Sequence, residues 1–214
     1  MGQTISAICG NYVDQQSQVL DIGCGTGRIT LEIARNGVHF ALGIDIAPAM
    51  VSYAKQIAET DTYKTIHFNV WRSQSHLVAA HINGWGVHNA AFAVGDAQTL
   101  PFKSGGFDMV LCLNVLHRVD DPDVVIMEVE RLAKHKGIVV MSNSYDWSEE
   151  YCSKSKWFDS FSEKVSAETW SPKLDIDGLM YISEVNLRKY TIAINQVQIF
   201  QIFKVGESAC EEKQ

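Results

Sequence analysis

Residues 19–28 read V-L-D-I-G-C-G-T-G-R, the stretch of this sequence with the most chemistry in it. An apolar strand followed by glycines and a helix brings a ligand against bare backbone at a helix N-terminus. A dinucleotide site asks for glycines in G-x-G-x-x-G order. Gly23 and Gly25 fit that order, but Arg28 holds the third position, where close helix–strand packing is needed. Asp21, at the strand end, would repel a pyrophosphate and can pair with an ammonium group. The turn therefore suits a ligand with a cationic amino-acid end and no phosphate.

S-adenosylmethionine is such a ligand, and here the sequence resembles the class I S-adenosylmethionine-dependent methyltransferases from about Gln18 to Ser142. D-I-G-C-G-T-G-R is similar to the first motif of that family. L-G-I-D-I follows, with Asp45 at a strand end about twenty residues past the turn, where a carboxylate takes both ribose hydroxyls. The resemblance implies that Ile46 packs on the adenine, that Asp96 in G-D-A-Q-T-L-P-F accepts its amino group, and that Ala97 flanks the ring. In F-D-M-V-L-C-L-N-V-L-H-R-V (residues 107–119) it implies Asn114 near the methionine moiety and His117 on the substrate side.

The second half is more particular. S-Y-D-W-S-E-E-Y-C-S-K-S-K-W (144–157) and R-K-Y-T-I-A-I-N-Q-V-Q-I-F (188–200) resemble the C-terminal methyltransferase module of ovothiol synthases, the mercaptohistidine N-methyltransferases. Tyr145, Trp147, Tyr151 and Trp157 then wall a flat ring, Asp146, Glu149 and Glu150 hold an ammonium, and Arg188 holds a carboxylate. The catalytic candidates are His117, Tyr145 and Glu150; Trp147, Glu149 and Arg188 are the substrate-binding ones. Two other readings fit the same residues. One is a methyltransferase of another small acceptor, such as a quinone, phenol or carboxylate. The other is a non-catalytic cofactor-binding partner subunit. An upstream domain or partner is expected to cover the site, because only 17 residues precede the first strand.

The elements that must position these groups alternate. Strands are predicted over Gln18–Ile22, Phe40–Ile44, Ala91–Val94, Phe107–Leu113 and Gly137–Ser142, and helices over Arg28–Arg35, Pro48–Glu59 and Asp121–Lys134. Such alternation gives an α/β fold, a doubly wound, Rossmann-like, mostly parallel sheet. Thr191–Val205 reads as an antiparallel terminal strand. The chain reads as one domain over 1–214, with an irregular insert at about 60–90 and an irregular lid at about 144–179. The insert carries His67, His76, His81 and His88, whose spacing matches no ordinary metal site, and no metal is predicted.

With 46% hydrophobic and 20% charged residues the chain has an ordinary globular balance. A net charge of −7 without a basic cluster predicts no nucleic-acid track. Apolar runs are too short for a membrane span, and no membrane partner is expected. The five cysteines (Cys9, Cys24, Cys112, Cys152 and Cys210) lack paired metal spacing and read as reduced thiols of a cytoplasmic protein.

Overall fold

The computed structural model describes residues 2–59, 63–66, 77–80, 87–186 and 189–204. Strands β1 (Gln18–Ile22), β2 (Phe40–Asp45), β5 (Ala90–Val94), β6 (Phe107–Leu113) and β7 (Ala133–Asn143) are joined by β8 (Trp170–Asn186) and β9 (Lys189–Ile202) in one sheet. Their order is β5-β2-β1-β6-β7-β9-β8. The first five run parallel, and β9 pairs antiparallel with both β7 and β8. A separate antiparallel pair, β3 (Tyr63–Ile66) with β4 (Leu77–Ala80), lies inside the predicted insert.

Helices α1 (Gly2–Cys9), α2 (Arg28–Arg35), α3 (Pro48–Glu59) and α4 (Pro122–Leu132) complete the main elements. The central strands are apolar on both faces, as parallel strands covered on both sides must be. Met109 and Leu111 of β6 and Ile138 and Val140 of β7 face Ile5 and Cys9 of α1 and Ile33 of α2. Val110, Cys112, Val139 and Met141 face Val125, Ile126 and Val129 of α4, with Phe158, Phe161 and Trp170. Leu31, Val51, Ala54 and Phe92 seat α3. Among the described residues no helix is long and apolar enough to cross a membrane. Cys9 and Cys112 are buried in this packing, which pushes both thiols up to about 12.

Three expectations need correction. The stretch read as irregular up to Leu179 is strand from Trp170 onward. The fifth parallel strand begins at Ala133, so α4 stops at Leu132 rather than Lys134. The residues ahead of β1 include an unforeseen helix, α1, packed beside α2. His67, His76 and His81 lie outside the described residues.

Candidate active site

β1 sits between β2 and β6, so the chain leaves in opposite directions on either side of it, and the crevice at the strand C-termini opens there. The backbone N–H groups of Gly23 and Cys24 both donate to Ile44 O, at 2.7 and 3.0 Å, which wraps the turn over the end of β2. A side chain at Gly23 (φ 72°) would put its Cβ 2.2 Å from Val115 Cγ2, whereas a Cβ at Gly25 (φ 53°) would meet nothing within 4 Å. Gly25 thus has open space beside it. Close helix–strand packing falls to Gly27, whose Cβ would stand 2.6 Å from the Phe92 ring. Arg28 is exposed and pairs with Glu32 at 2.9 Å, so it does not crowd the turn as its place in the motif had suggested.

Asp45 ties the crevice together. Its Oδ2 accepts from Gly25 N and its Oδ1 from Ala47 N, both at 2.9 Å. The next residue, Ile46, is an apolar side chain held 68% exposed at the lip. Across the crevice, Asp96 Oδ1 accepts from Gln98 N at 2.9 Å. The loop carrying Asp96 and Ala97 is pinned from α4. Glu128 Oε1 accepts from Leu100 N at 2.9 Å, and Arg131 donates to the carbonyls of Phe102 and Leu100 at 2.7 and 3.1 Å. Asn114, at the exit of β6, has φ 58°, and its N–H donates to Ser142 O at 2.9 Å.

These residues enclose a cleft of about 320 Å³. Of the predicted cofactor residues, Gly23, Asp45, Ile46, Asp96, Ala97 and Asn114 line it. Gly25 and Asp21 do not. Asp21 is 2% exposed beneath the turn, where Thr30 Oγ1 donates to its Oδ2 at 2.6 Å. Burial pushes its carboxyl up to about 6, against the opposing Thr30 bond. An acid with a raised folded-state pKa favours the fold at low pH, and that advantage disappears as pH rises from about 4 through 6. Asp21→Asn should therefore flatten the stability–pH curve in that window by on the order of 2–3 kcal/mol. Urea midpoints taken at pH 4 and 7 check this; an unchanged difference between them would contradict it.

The acceptor-side candidates are placed less as the sequence suggested. His117 lies in a short 3₁₀ turn, Leu116–Arg118, and is 5% exposed. Its Nδ1 is 2.8 Å from Asn143 Oδ1, and burial lowers its pKa, favouring the neutral ring. Tyr145 (φ 54°) packs on Phe158 and Phe161 and donates its hydroxyl to Gln196 Oε1 at 2.5 Å. Burial raises its pKa. Trp147 donates to Phe158 O at 3.0 Å and stacks on Trp157. Glu149 and its partner Lys154, 3.3 Å apart, are each 65% exposed, and Glu150 is exposed as well. The cleft lining includes neither glutamate, nor His117, Tyr145 or Trp147. Arg188 lies outside the described residues.

Sequence reasoning missed Arg118, the one cation among the described residues that line the cleft. Its guanidinium stands 5.2 Å from the Tyr151 ring centroid, joining the lid to the cleft rim. Its position directly after His117, at a strand exit, was the available signal. Lys156, paired with Asp121 at 2.7 Å, and Lys164, paired with Asp123 at 2.9 Å, fasten the same lid to the start of α4. Asn143 was also missed. Its Nδ2 is sealed from solvent without a hydrogen-bond partner, a loss of about 1–3 kcal/mol.

Residues 20–141 match the methyltransferase domain family. The chain belongs to that family. It is 29% identical over 128 residues to norajmaline N-methyltransferase of Rauvolfia serpentina, covering 59% of this chain and 36% of that protein. A ubiquinone biosynthesis O-methyltransferase of Neisseria meningitidis is 27% identical, covering 62% and 48%. The matches thus span about a third to a half of these curated relatives. The crystal structure of the YcgJ protein of Bacillus subtilis shares the fold, with TM-score 0.62 and 18% identity, covering 95% of this chain and all of that one. A methyltransferase from Methanosarcina mazei does so with TM-score 0.61 and 20% identity, covering 92% and 97%. The mixed sheet, parallel with antiparallel C-terminal strands, is therefore the class I methyltransferase fold.

Proposed function

We propose that this methyltransferase domain binds S-adenosylmethionine in the β1–β2–β6 crevice and methylates a small molecule. The observation that carries this reading is the Asp45 carboxylate, fixed by two backbone N–H groups beside an open Gly25 and an exposed Ile46. The donor set fits the group. Asp45 offers its remaining lone pairs to ribose hydroxyls, Asp96 accepts from the adenine amino group, and Ile46 and Ala97 sandwich the ring. Gly23 and Asn114, which share the cleft lining, face the methionine end. A cleft lined by Asp45, Asp96 and Asp120 with Arg118 as its cation suits an uncharged nucleoside better than a pyrophosphate. When bound, S-adenosylmethionine supplies an electrophilic methyl group on a sulfonium.

The protein's own contribution is to orient the acceptor and exclude water. Arg118 is fitted to an anionic group on that acceptor, and Tyr151 holds the guanidinium at the rim. Within this reading the acceptor is a mercaptohistidine nitrogen. Support comes from the resemblance of residues 144–157 and 188–200 to the ovothiol modules, with Arg118 supplying the cation for a carboxylate. Relatives named as N-methyltransferases and as an O-methyltransferase keep the acceptor class broader than this one compound. Incubation with methyl-labelled S-adenosylmethionine and a panel of 5-mercaptohistidine, histidine, phenols and hydroquinones tests both levels. Label on the histidine thiol's ring nitrogen supports the narrow reading. Label on a phenol or hydroquinone alone leaves the methyltransferase and removes the mercaptohistidine. No transfer to any acceptor, with cofactor bound, favours a non-catalytic partner.

A further inference from the structure

His117 and Asn143 meet where β6 and β7 end, and their hydrogen bonds fix which ring nitrogen carries the proton. Tyr145 N–H donates to Asn143 Oδ1 at 3.2 Å. A backbone N–H can only donate, so the Asn143 atom facing it is the oxygen and not the amide nitrogen. That oxygen also lies 2.8 Å from His117 Nδ1 and can only accept, so Nδ1 carries the hydrogen. In the neutral ring Nε2 is then a bare lone pair. Nε2 makes no hydrogen bond among the described residues and, unlike Asn143 Nδ2, is not sealed from solvent. Val115 and Val119, on either side of the His117 turn, and Arg118 within it line the cleft, though His117 itself does not.

Asn143 is itself fully buried with its Nδ2 unpaired, a destabilising arrangement that calls for an explanation beyond packing. We propose that Asn143 is a positioning residue that locks His117 as the Nδ1–H tautomer, so that Nε2 takes a proton from the methyl acceptor. The acceptor class follows: its nucleophile carries a proton, as a hydroxyl, a thiol or a ring N–H does. As the proton moves to Nε2, the electron pair it leaves on the heteroatom forms the new bond to carbon, and sulfur keeps the electrons of the bond that breaks. The resulting imidazolium returns that proton to water. Charged groups facing the ring are Arg118, which opposes its protonation, and Asp146, which favours it.

This inference rests on the methyltransferase reading, but its first test does not. Nitrogen-15 histidine labelling of the full chain without cofactor reads the tautomer directly, with His117→Gln identifying the resonances. A protonated Nδ1 and bare Nε2 at neutral pH are expected; a protonated Nε2 would overturn the proposal. Asn143→Asp keeps an acceptor for Nδ1–H and adds a negative charge, so the ring should titrate at higher pH while staying Nδ1–H. With the panel acceptor that turns over, the acidic limb of kcat, where the ring gains its proton, should move to higher pH in Asn143→Asp, at unchanged cofactor affinity. His117→Gln should lower kcat by about 100-fold or more. An unchanged kcat in folded His117→Gln would overturn the base role whatever the tautomer. If no acceptor turns over in the wild type, the methyltransferase reading fails separately from the tautomer result.

Discussion

Asp45→Ala is expected to weaken S-adenosylmethionine binding by about 10- to 150-fold. The figure follows from losing charge-assisted hydrogen bonds worth about 1.5–3 kcal/mol. Asp45 also accepts from Gly25 N and Ala47 N, so the substitution releases both the turn and the start of α3. Asp45→Asn separates the two contributions. The asparagine amide retains one oxygen for a backbone N–H but loses the charge, and its affinity should fall between wild type and alanine. The melting temperature should hardly change in Asp45→Asn, since the side chain is only half-buried at the crevice. Equal affinities in all three proteins, measured by calorimetry, would remove Asp45 from the site.

Gly23→Val should be the most destabilising change in the turn. At φ 72° a β-branched residue costs about 2 kcal/mol in backbone energy. The 2.2 Å approach of its Cβ to Val115 Cγ2 adds about 1–3 kcal/mol of overpacking. A loss of about 3–5 kcal/mol corresponds to a drop of roughly 6–20 °C in Tm for a domain of this size. Val115→Ala in the same chain should recover the overpacking part and leave the backbone part. Gly25→Ala is the contrast: its Cβ meets nothing, so stability falls only by the backbone strain, and a lowered cofactor affinity would mark the open space beside it as taken by the ligand. Thermal melts and titrations of these variants distinguish a glycine needed for packing from one needed for a ligand.

The parallel half of the sheet was legible because buried strands read as short apolar runs ended by Asp, Gly or Asn. β8 was not. Pro172 and Gly178 interrupt its pattern, and the pairing register shifts between Pro172 and Leu174 and between Ile176 and Leu179. Proline at an edge strand and glycine at a bulge are tolerated in the sheet but disguise the alternation in the sequence. The helix α1 is only eight residues long, and its stability comes from Ile5 and Cys9 packing under the sheet, a tertiary contact with little local signal.

The crevice was legible for a related reason. Gly23, Asp45, Asp96 and Asn114 each sit at or just past a strand end, so the strand readings carried them. The turn still misled in one respect: Asp21 is under the turn rather than on it, and does not line the cleft. Acceptor-side residues come from an irregular segment, where composition does not say which way a side chain faces. Glu149 and Glu150 face solvent, while Arg118 and Asn143, unremarkable in the sequence, lie at the rim and beneath it.

Calorimetric titration of the purified protein with S-adenosylmethionine, and separately with a nicotinamide dinucleotide, tests the central claim most directly. The account predicts saturable one-to-one binding of S-adenosylmethionine, weakened by Asp45→Ala, and no heat with the dinucleotide. Binding of the dinucleotide with none of S-adenosylmethionine would contradict it.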